Sequence, residues 1–258
     1  MDKGKGSTSW QEASKWYGKL TEEGGHYYHQ QVVIPGVLHL LNFKSETEDV
    51  SESLLDLACG NGVLASYLPA GVEYLGLDMA SDLITQAQRQ DHSKNHRYLL
   101  ADVTKALPVK EKFTHAAIVL ALQNIRSPQR VLFNVRDSLV EKGVLVIVFN
   151  HPCFRIPRQS GWGIDEKQKL QFRKVYKYMT TMEIPIITNP SLGQRSSTTL
   201  SFHRPLSLYI KMLKNAGFAV VDLEEWTSDK ASVGKAAKME NRSRAEIPLF
   251  LTIKAIKI

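Results

Sequence analysis

LLDLACGNGVLA, residues 54–65, is an apolar run that breaks at Asp56 and passes through two glycines before it becomes apolar again. From Gly60 to Ala65 it satisfies the pattern G-x-G-x-x-G/A, whose glycines allow a tight turn from strand to helix and close approach of a ligand to the backbone. A pyrophosphate is one candidate ligand. Asp56 lies four residues before Gly60, where its carboxylate would repel a pyrophosphate and attract an ammonium group. The stretch therefore favours a ligand that carries an ammonium group.

Two further acidic residues end the next two predicted strands. Asp78 follows Gly62 by 16 residues, where the ribose hydroxyls of a nucleotide-like ligand would lie. At Asp102 a carboxylate can accept a hydrogen bond from an adenine amino group, while Val103 covers the face of the ring. A plain dinucleotide fold does not need this third acid. Together with Asp56, the two residues favour S-adenosylmethionine, with S-adenosylhomocysteine as product.

Apolar strands alternate with helices after residue 53, which indicates a parallel sheet covered on both faces. The predicted strands are 54–58, 72–78, 97–102, 114–122, 144–150, 218–226 and 247–258. The predicted helices of this part are 63–68, 80–90, 128–140 and 204–217, and an irregular segment separates residues 151 and 203. Ser9 and Glu12 form a capping box that predicts a first helix to about Leu20, and residues 26–41 form a second helical region.

The composition is that of an ordinary soluble chain: 258 residues, 43% of them hydrophobic and 23% charged. The longest apolar runs, 116–122 and 144–149, are far shorter than the roughly 20 residues that span a bilayer. No apolar core for a secretory signal follows the first methionine, and Cys59 and Cys153 show no disulfide spacing. We therefore expect a cytoplasmic protein with reduced thiols and no membrane partner.

The net charge of +7 is concentrated between residues 151 and 178, where seven basic residues face two acidic ones. Such a surplus attracts an anionic substrate or nucleic acid. It is also typical of a solvated helical face on an insertion, and we favour this second interpretation. Arg155 and Arg158 are exceptions because they lie among apolar and proline residues.

Four stretches resemble the motifs of class I S-adenosylmethionine-dependent methyltransferases. DLACGNG (56–62), GLDMA (76–80) and LLADV (99–103) are similar to their first three motifs, and residues 107–125 to their fourth-strand region. The closing run 202–218 is similar to the tail of small-molecule methyltransferases, and HPCFRIPRQSGW (151–162) to an uncharacterised bacterial group of them. Three positions depart from the pattern: Ala58 replaces a motif glycine, Thr114 and His115 replace an acid, and EKGV (141–144) replaces a PGG turn.

The resemblance spans residues 10–258 and implies a Rossmann-like, doubly wound α/β fold. Its seven-stranded, mostly parallel sheet has the order 3-2-1-4-5-7-6, with the last strand antiparallel. We expect one domain, residues 1–258. Its parts are an N-terminal helical cap (1–52), a cofactor-binding core (53–150), a substrate-side insertion (151–203) and a C-terminal helix with strands (204–258).

The motif loops supply the predicted cofactor contacts. They are Asp56, Ala58, Gly60, Asn61, Gly62, Asp78, Met79, Asp102, Val103 and Leu120.

Catalytic and substrate contacts are expected around the insertion. His151 follows the fifth strand and His203 precedes the next helix, so either imidazole is placed to take a proton from the methyl acceptor. With Cys153 they match no common zinc spacing, and no metal is expected. The predicted substrate contacts are Tyr28, His29, Arg155, Arg158 and Trp162, of which the arginines and aromatic rings suit an anionic or aromatic molecule.

Three classes of function follow from these features. A methyltransferase that acts on an oxygen, nitrogen or carbon atom of a small molecule is the first. A nucleic-acid methyltransferase is the second, favoured by the basic insertion but lacking an N-P-P-Y-like run where ALQNI stands (121–125). An NAD(P)-dependent oxidoreductase is the third, and it leaves Asp56 and Asp102 unexplained. A non-catalytic binding protein on the same fold is a further alternative, and the oligomeric state is not predicted.

Overall fold

The computed structural model describes Gln11 and residues 26–43, 52–187 and 198–258. The helix predicted between Ser9 and Leu20 lies outside these residues except for Gln11. Eleven strands lie in the described part of the chain: β1 (Ser53–Leu57), β2 (Glu73–Asp78), β3 (His96–Leu100), β4 (Phe113–Val119), β5 (Leu139–Asn150), β6 (Ser160–Asp165), β7 (Leu170–Val175), β8 (Met182–Ile187), β9 (Thr198–His203), β10 (Phe218–Trp226) and β11 (Phe250–Lys257).

Seven of these strands form one sheet in the order β10-β11-β5-β4-β1-β2-β3. Strands β1 to β5 are mutually parallel, whereas β11 is antiparallel to both β5 and β10. Numbered along the sheet-forming strands alone, the order is 3-2-1-4-5-7-6, which confirms the predicted topology. Carboxyl ends of β1 to β5 consequently meet at one edge of the sheet, where open α/β sheets bind their ligands.

Five α-helices are described: α1 (Ile34–Leu41), α2 (Ser81–Gln90), α3 (Pro128–Ser138), α4 (Leu206–Asn215) and α5 (Ala237–Glu246). One turn of π-helix, His29–Val33, leads into α1, and the segment predicted as a helix at 63–68 is a short 3₁₀ helix. Helix α5 was not predicted, because only Ser243 of its residues is buried and the helix therefore has no apolar periodicity. None of these helices is long and apolar enough to cross a membrane.

The two faces of the sheet are covered by separate apolar clusters. Leu55 and Leu57 of β1 point into a cluster that includes residues of α3 and α4. Leu54 points into the opposite cluster, which includes residues of α1 and α2. All five β1 residues are buried, and each buried leucine stabilises the fold by roughly 1.5–3 kcal/mol. This burial on both faces fixes the position of the loop that follows β1.

The described part of the insertion after β5 contains two antiparallel strand pairs, the first of them a β-hairpin, so the expectation of a helical face at residues 151–178 is wrong. Strands β6 and β7 pair antiparallel, as do β8 and β9. Phe172 lies across Gly163, whose missing side chain leaves room for the ring, because a Cβ there would come within 2.6 Å of it. Helix α5 supports the first hairpin, since the Ser243 hydroxyl donates to Gln171 Oε1 over 2.6 Å.

Candidate functional site

A cavity of about 500 Å³ opens at the carboxyl ends of β1 to β5, a size that suits a small molecule. The residues that line it are His29, Ala58, Gly60, Asp78, Met79, Leu83, Ala101, Asp102, Val103, Thr104, Val119, Leu120, Ala121, Gln123, Asn124, Ile125, Arg126, Ser127, Asn150, Pro157, Ile186 and Ser201. Seven of the ten predicted cofactor residues belong to this set. The carboxyl edge of the sheet is thus the place where the sequence motifs converge.

The loop after β1 is tied to the end of β2 through Asp78. The Gly60 amide donates to Asp78 Oδ2 over 3.0 Å, and the Ala80 amide donates to Oδ1 over 2.8 Å. Burial raises the pKa of Asp78, although the bonds from Ala80 and Gly60 oppose the rise. A carboxylate has about four lone-pair sites, so Asp78 can still accept bonds from a ligand in the cavity.

Ala58, at the position of a motif glycine, keeps the backbone conformation that a glycine would adopt. Its φ is 57°, in the left-handed region, and φ is likewise positive at Gly60 (60°) and Gly62 (76°). A side chain in this region costs roughly 1–2 kcal/mol. Ala58 therefore adopts a backbone conformation that a glycine would adopt at lower cost.

Asp102 lies in the cavity wall two residues beyond the end of β3. Its Oδ1 accepts bonds from the amide (3.0 Å) and the hydroxyl (2.7 Å) of Thr104, and Lys105 Nζ lies 3.7 Å from Oδ2. Partial burial pulls the pKa of Asp102 upward, but the bonds from Thr104 and the charge of Lys105 outweigh it and lower the pKa. Asp102 is held as a carboxylate beside the apolar wall that includes Val103.

The other three predicted cofactor residues, Asp56, Asn61 and Gly62, are absent from the lining. Asp56 is buried beneath the loop, where the Tyr74 hydroxyl donates to its Oδ2 over 2.9 Å. Burial raises the pKa of Asp56 to about 7, helped by the charge of Asp78 and opposed by the bond from Tyr74. The carboxyl of Asp56, which we expected to attract a ligand ammonium group, faces Tyr74 and lies outside the cavity lining.

Gly62 is required by packing. A Cβ at this residue would come within 2.7 Å of the Tyr98 ring and hydroxyl. The absence of a side chain at Gly62 therefore lets the loop pack against β3, and the positive φ of Gly62 provides the turn.

Residues after β4 form one part of the wall that the sequence analysis did not predict, apart from Leu120. The side chains of Gln123 and Asn124 turn back to the Leu120 carbonyl, with Gln123 Nε2 donating over 2.8 Å. Arg204 fixes the end of this loop, because its Nη2 donates to the carbonyls of Ile125 and Arg126 at 3.1 and 3.0 Å. The sequence does contain one signal for these wall residues, which is the polar pair QN (123–124) at the end of the apolar run.

The two histidines predicted as catalytic lie outside the cavity lining. His151 is 1% exposed: its Nε2 lies 2.6 Å from Glu225 Oε1, and its Nδ1 accepts from the Cys153 amide. Burial lowers the pKa of His151 against the opposing effect of Glu225. The Nε2–H of His203 donates to the Tyr178 carbonyl over 2.7 Å, and burial lowers its pKa. Both imidazoles serve contacts within the fold.

Of the predicted substrate residues, only His29 lines the cavity. Tyr28 packs edge-on against Phe250 and shares a 3.0 Å hydrogen bond with Ser228. Its neighbour His29 turns towards the cavity, and burial lowers the pKa of this imidazole to about 4.

Arg155 and Trp162 belong to a stacked cluster on the insertion. The guanidinium groups of Arg155 and Arg173 lie 5.4 and 5.2 Å from the centre of the Trp162 ring. Arg173 also donates to the Phe154 carbonyl and Arg155 to the Pro248 carbonyl. These contacts hold the first hairpin to the body of the protein. Arg158, with a φ of 59°, is likewise absent from the cavity lining.

The charges of the lining are two carboxylates, Asp78 and Asp102, and one guanidinium, Arg126. Arg126 is paired with Glu183 and lies 5.2 Å from the centre of the Phe202 ring. The described wall thus offers no unpaired cation for an anionic substrate, and it suits a ligand of neutral or positive charge. No cluster of three or more potential metal ligands occurs in the described parts of the chain.

Comparison with known proteins bears on the same region. Residues 55–147 match the family described as "Methyltransferase domain". A proposed S-adenosylmethionine-dependent methyltransferase from Listeria monocytogenes is 22% identical, with 87% of this chain and 99% of that chain covered and a TM-score of 0.64. An S-adenosylmethionine-dependent methyltransferase from Mesorhizobium loti is 24% identical, with 85% of this chain and 96% of that chain covered and a TM-score of 0.65. No curated protein sequence matches the chain.

A third structure contains the cofactor. The glycopeptide N-methyltransferase MtfA, solved with S-adenosylmethionine, is 15% identical, with 86% of this chain and 94% of that chain covered and a TM-score of 0.55. The match over residues 55–147 and the shared fold make the chain similar to S-adenosylmethionine-dependent methyltransferases.

The donor set of the cavity fits S-adenosylmethionine. Asp78 at the end of β2 has lone pairs left for the ribose hydroxyls. Asp102 can accept from the adenine amino group, beside apolar surface from Val103, Met79 and Leu83.

Proposed function

We propose that the chain transfers a methyl group from S-adenosylmethionine to a small-molecule acceptor in this cavity. The observation that carries the proposal is the convergence of Gly60, Asp78 and Asp102 on one cavity at the carboxyl edge of the sheet. A carboxylate for the ribose and another for the adenine are what this cofactor needs. An NAD(P)-dependent oxidoreductase needs no acid at Asp102.

The cofactor supplies a methyl group that is activated by its sulfonium. The chain has to hold the cofactor, align the acceptor in line with the methyl group and keep water out. Asp78 and Asp102 would hold the two ends of the nucleoside, and Val103 and Met79 would cover the adenine. Pro157, Ile186 and Ser201 of the insertion complete the wall and would help to close the cavity over the acceptor.

The size and charge of the cavity favour a small acceptor over nucleic acid. A nucleic acid is held by unpaired basic side chains along its backbone. The only lysine or arginine in the described lining, Arg126, is paired with Glu183. The basic residues of the β6–β7 hairpin are absent from the lining, although they favour RNA as the second candidate. A cytoplasmic location remains a prediction from the sequence.

The test is to incubate the protein with methyl-labelled S-adenosylmethionine and either a metabolite extract or total RNA. We expect label in the metabolite fraction and none in the RNA above a denatured-protein control. An Asp78→Asn variant should lose most of the transfer at limiting cofactor. Label in RNA alone, with binding that weakens steeply as salt rises, would replace the proposal with the nucleic-acid alternative.

A further inference from the structure

Two residues of the cavity lining each carry a buried side-chain atom that has no hydrogen-bond partner among the described residues. These atoms are His29 Nδ1 and Gln123 Oε1. Gln123 is 8% exposed as a whole, and its Nε2 already donates to the Leu120 carbonyl. Leaving a buried polar atom unpaired costs roughly 1–3 kcal/mol. Two such atoms in one cavity indicate that a ligand supplies their partners.

The position of the two atoms separates them from the nucleoside contacts. Gly60 follows β1, Asp78 ends β2 and Asp102 follows β3, on one side of the carboxyl edge. Gln123 follows β4 on the other side. His29 comes from the turn before α1, whose neighbouring Tyr28 packs against Phe250 of β11. The unpartnered atoms therefore lie on the β4–β5–β11 side, which the nucleoside leaves free for an acceptor.

We propose that His29 Nδ1 and Gln123 Oε1 bind the methyl acceptor, and that His29 takes the proton which the acceptor releases. The inference rests on the proposed function. Gln123 Oε1 can only accept a hydrogen bond, and a base must accept through a free lone pair. The acceptor is thus a neutral molecule with at least two O–H or N–H hydrogens, one of them on the atom that is methylated.

The reaction balances without a further reactant. The acceptor oxygen or nitrogen forms a bond to the methyl carbon, the carbon–sulfur bond breaks, and its electron pair stays on sulfur. The acceptor proton passes to His29 Nδ1. The products are the methylated acceptor, S-adenosylhomocysteine and a protonated His29 that returns its proton to solvent.

The surroundings of His29 keep its imidazole neutral before the reaction. Burial, together with the charge of His26, lowers the pKa to about 4. The charged residues in the wall that His29 shares are Asp78, Asp102 and Arg126. A neutral imidazole at pH 7 has the lone pair that a base requires.

The first test is the nitrogen NMR spectrum of ¹⁵N-histidine-labelled protein saturated with S-adenosylhomocysteine. A His29→Gln variant assigns the resonances. We expect a proton-free Nδ1 and a proton on Nε2 from pH 6 to 8, with a pKa below about 5. A proton on Nδ1 throughout this range would overturn the inference, because the atom could then accept nothing.

The second test compares His29→Ala and Gln123→Leu with a His39→Gln control, which changes an exposed histidine on α1. The acceptor is the metabolite fraction that the wild type labels. We expect His29→Ala to lower kcat by about 10²-fold or more, and Gln123→Leu to raise KM by about tenfold. S-Adenosylhomocysteine affinity should stay within about threefold for both variants, and the control should match the wild type.

The failures of the two proposals differ. Wild-type kcat and KM in both folded variants would overturn the inference alone. Absence of any labelled acceptor from the wild type, with S-adenosylhomocysteine still bound, would overturn the proposed function and the inference with it.

Discussion

The Tyr74 hydroxyl donates a hydrogen bond to Asp56 Oδ2 over 2.9 Å, with both side chains buried under the glycine loop. The pKa of Asp56 rises from 3.8 to about 7 because of burial. Between these two values the folded protein holds a proton that the unfolded chain has lost. Stability therefore falls as pH rises through this window. Asp56 thus couples the stability of the fold to pH.

We expect the Asp56→Asn variant to lack this dependence, because an amide does not ionise and its oxygen can still accept from Tyr74. From pH 5 to pH 8 the free energy of unfolding of the wild type should fall by about 2–3 kcal/mol relative to the variant. Urea denaturation of both proteins at the two pH values measures the difference. Parallel behaviour of the two proteins would show that Asp56 is ionised throughout.

Replacement of Ala58 by glycine should stabilise the protein by about 0.5–1 kcal/mol. Ala58 has a φ of 57°, and glycine relieves the strain of its Cβ by more than it adds in chain entropy. Ala80→Gly is the matched control, because Ala80 has a φ of −92°, which a side chain adopts without strain. This variant should be less stable than the wild type by about 1 kcal/mol. Equal destabilisation of both variants in thermal unfolding would argue against strain at Ala58.

A Gly62→Ala variant should lose roughly 2–4 kcal/mol of stability, because its Cβ would come within 2.7 Å of Tyr98 in a backbone conformation that already disfavours a side chain. Gly161→Ala is the control: nothing lies within 4 Å of its Cβ, and we expect a change within about 0.5 kcal/mol. Chemical denaturation of both variants measures the two changes in the free energy of unfolding. Similar small effects would mean that β3 moves away at little cost.

His151→Ala should impair stability and leave chemistry intact. The imidazole is buried against Glu225 and the Cys153 amide, and its loss should cost about 2–4 kcal/mol. Turnover per folded molecule, measured below the melting temperature, should stay within about twofold of the wild type. A hundredfold loss of turnover in the folded variant would instead support the catalytic role that the sequence predicts.

The strand order was predictable because motif residues stand at the carboxyl ends of apolar strands, as Asp78 does at the end of β2. The same reasoning identified Gly60 and Asp102 in the cavity wall. It did not show that Asp56 is buried against Tyr74, because sequence spacing puts a residue at a strand end without showing what covers it. Residue type and distance along the chain carry no information on such a partner.

The insertion was the least predictable part of the molecule. Its charges suggested a helix, whereas β6 and β7, which are neighbours in the sequence, pair as a hairpin. Arg155, one of the two arginines that had suggested an anion site, stacks on Trp162 instead. Gln123 was missed because an amide after an apolar strand has many uses. Only the unpaired state of its Oε1 in the folded chain indicates a ligand.

The most direct test of the cofactor site is a calorimetric titration of S-adenosylhomocysteine into the wild type and the Asp78→Asn variant. We predict binding of one molecule per chain to the wild type. The variant should bind at least about tenfold more weakly, because a charged acceptor of the ribose hydroxyls is lost. Equal affinity of the two folded proteins, or no binding to the wild type, would contradict the assignment of this cavity to the cofactor.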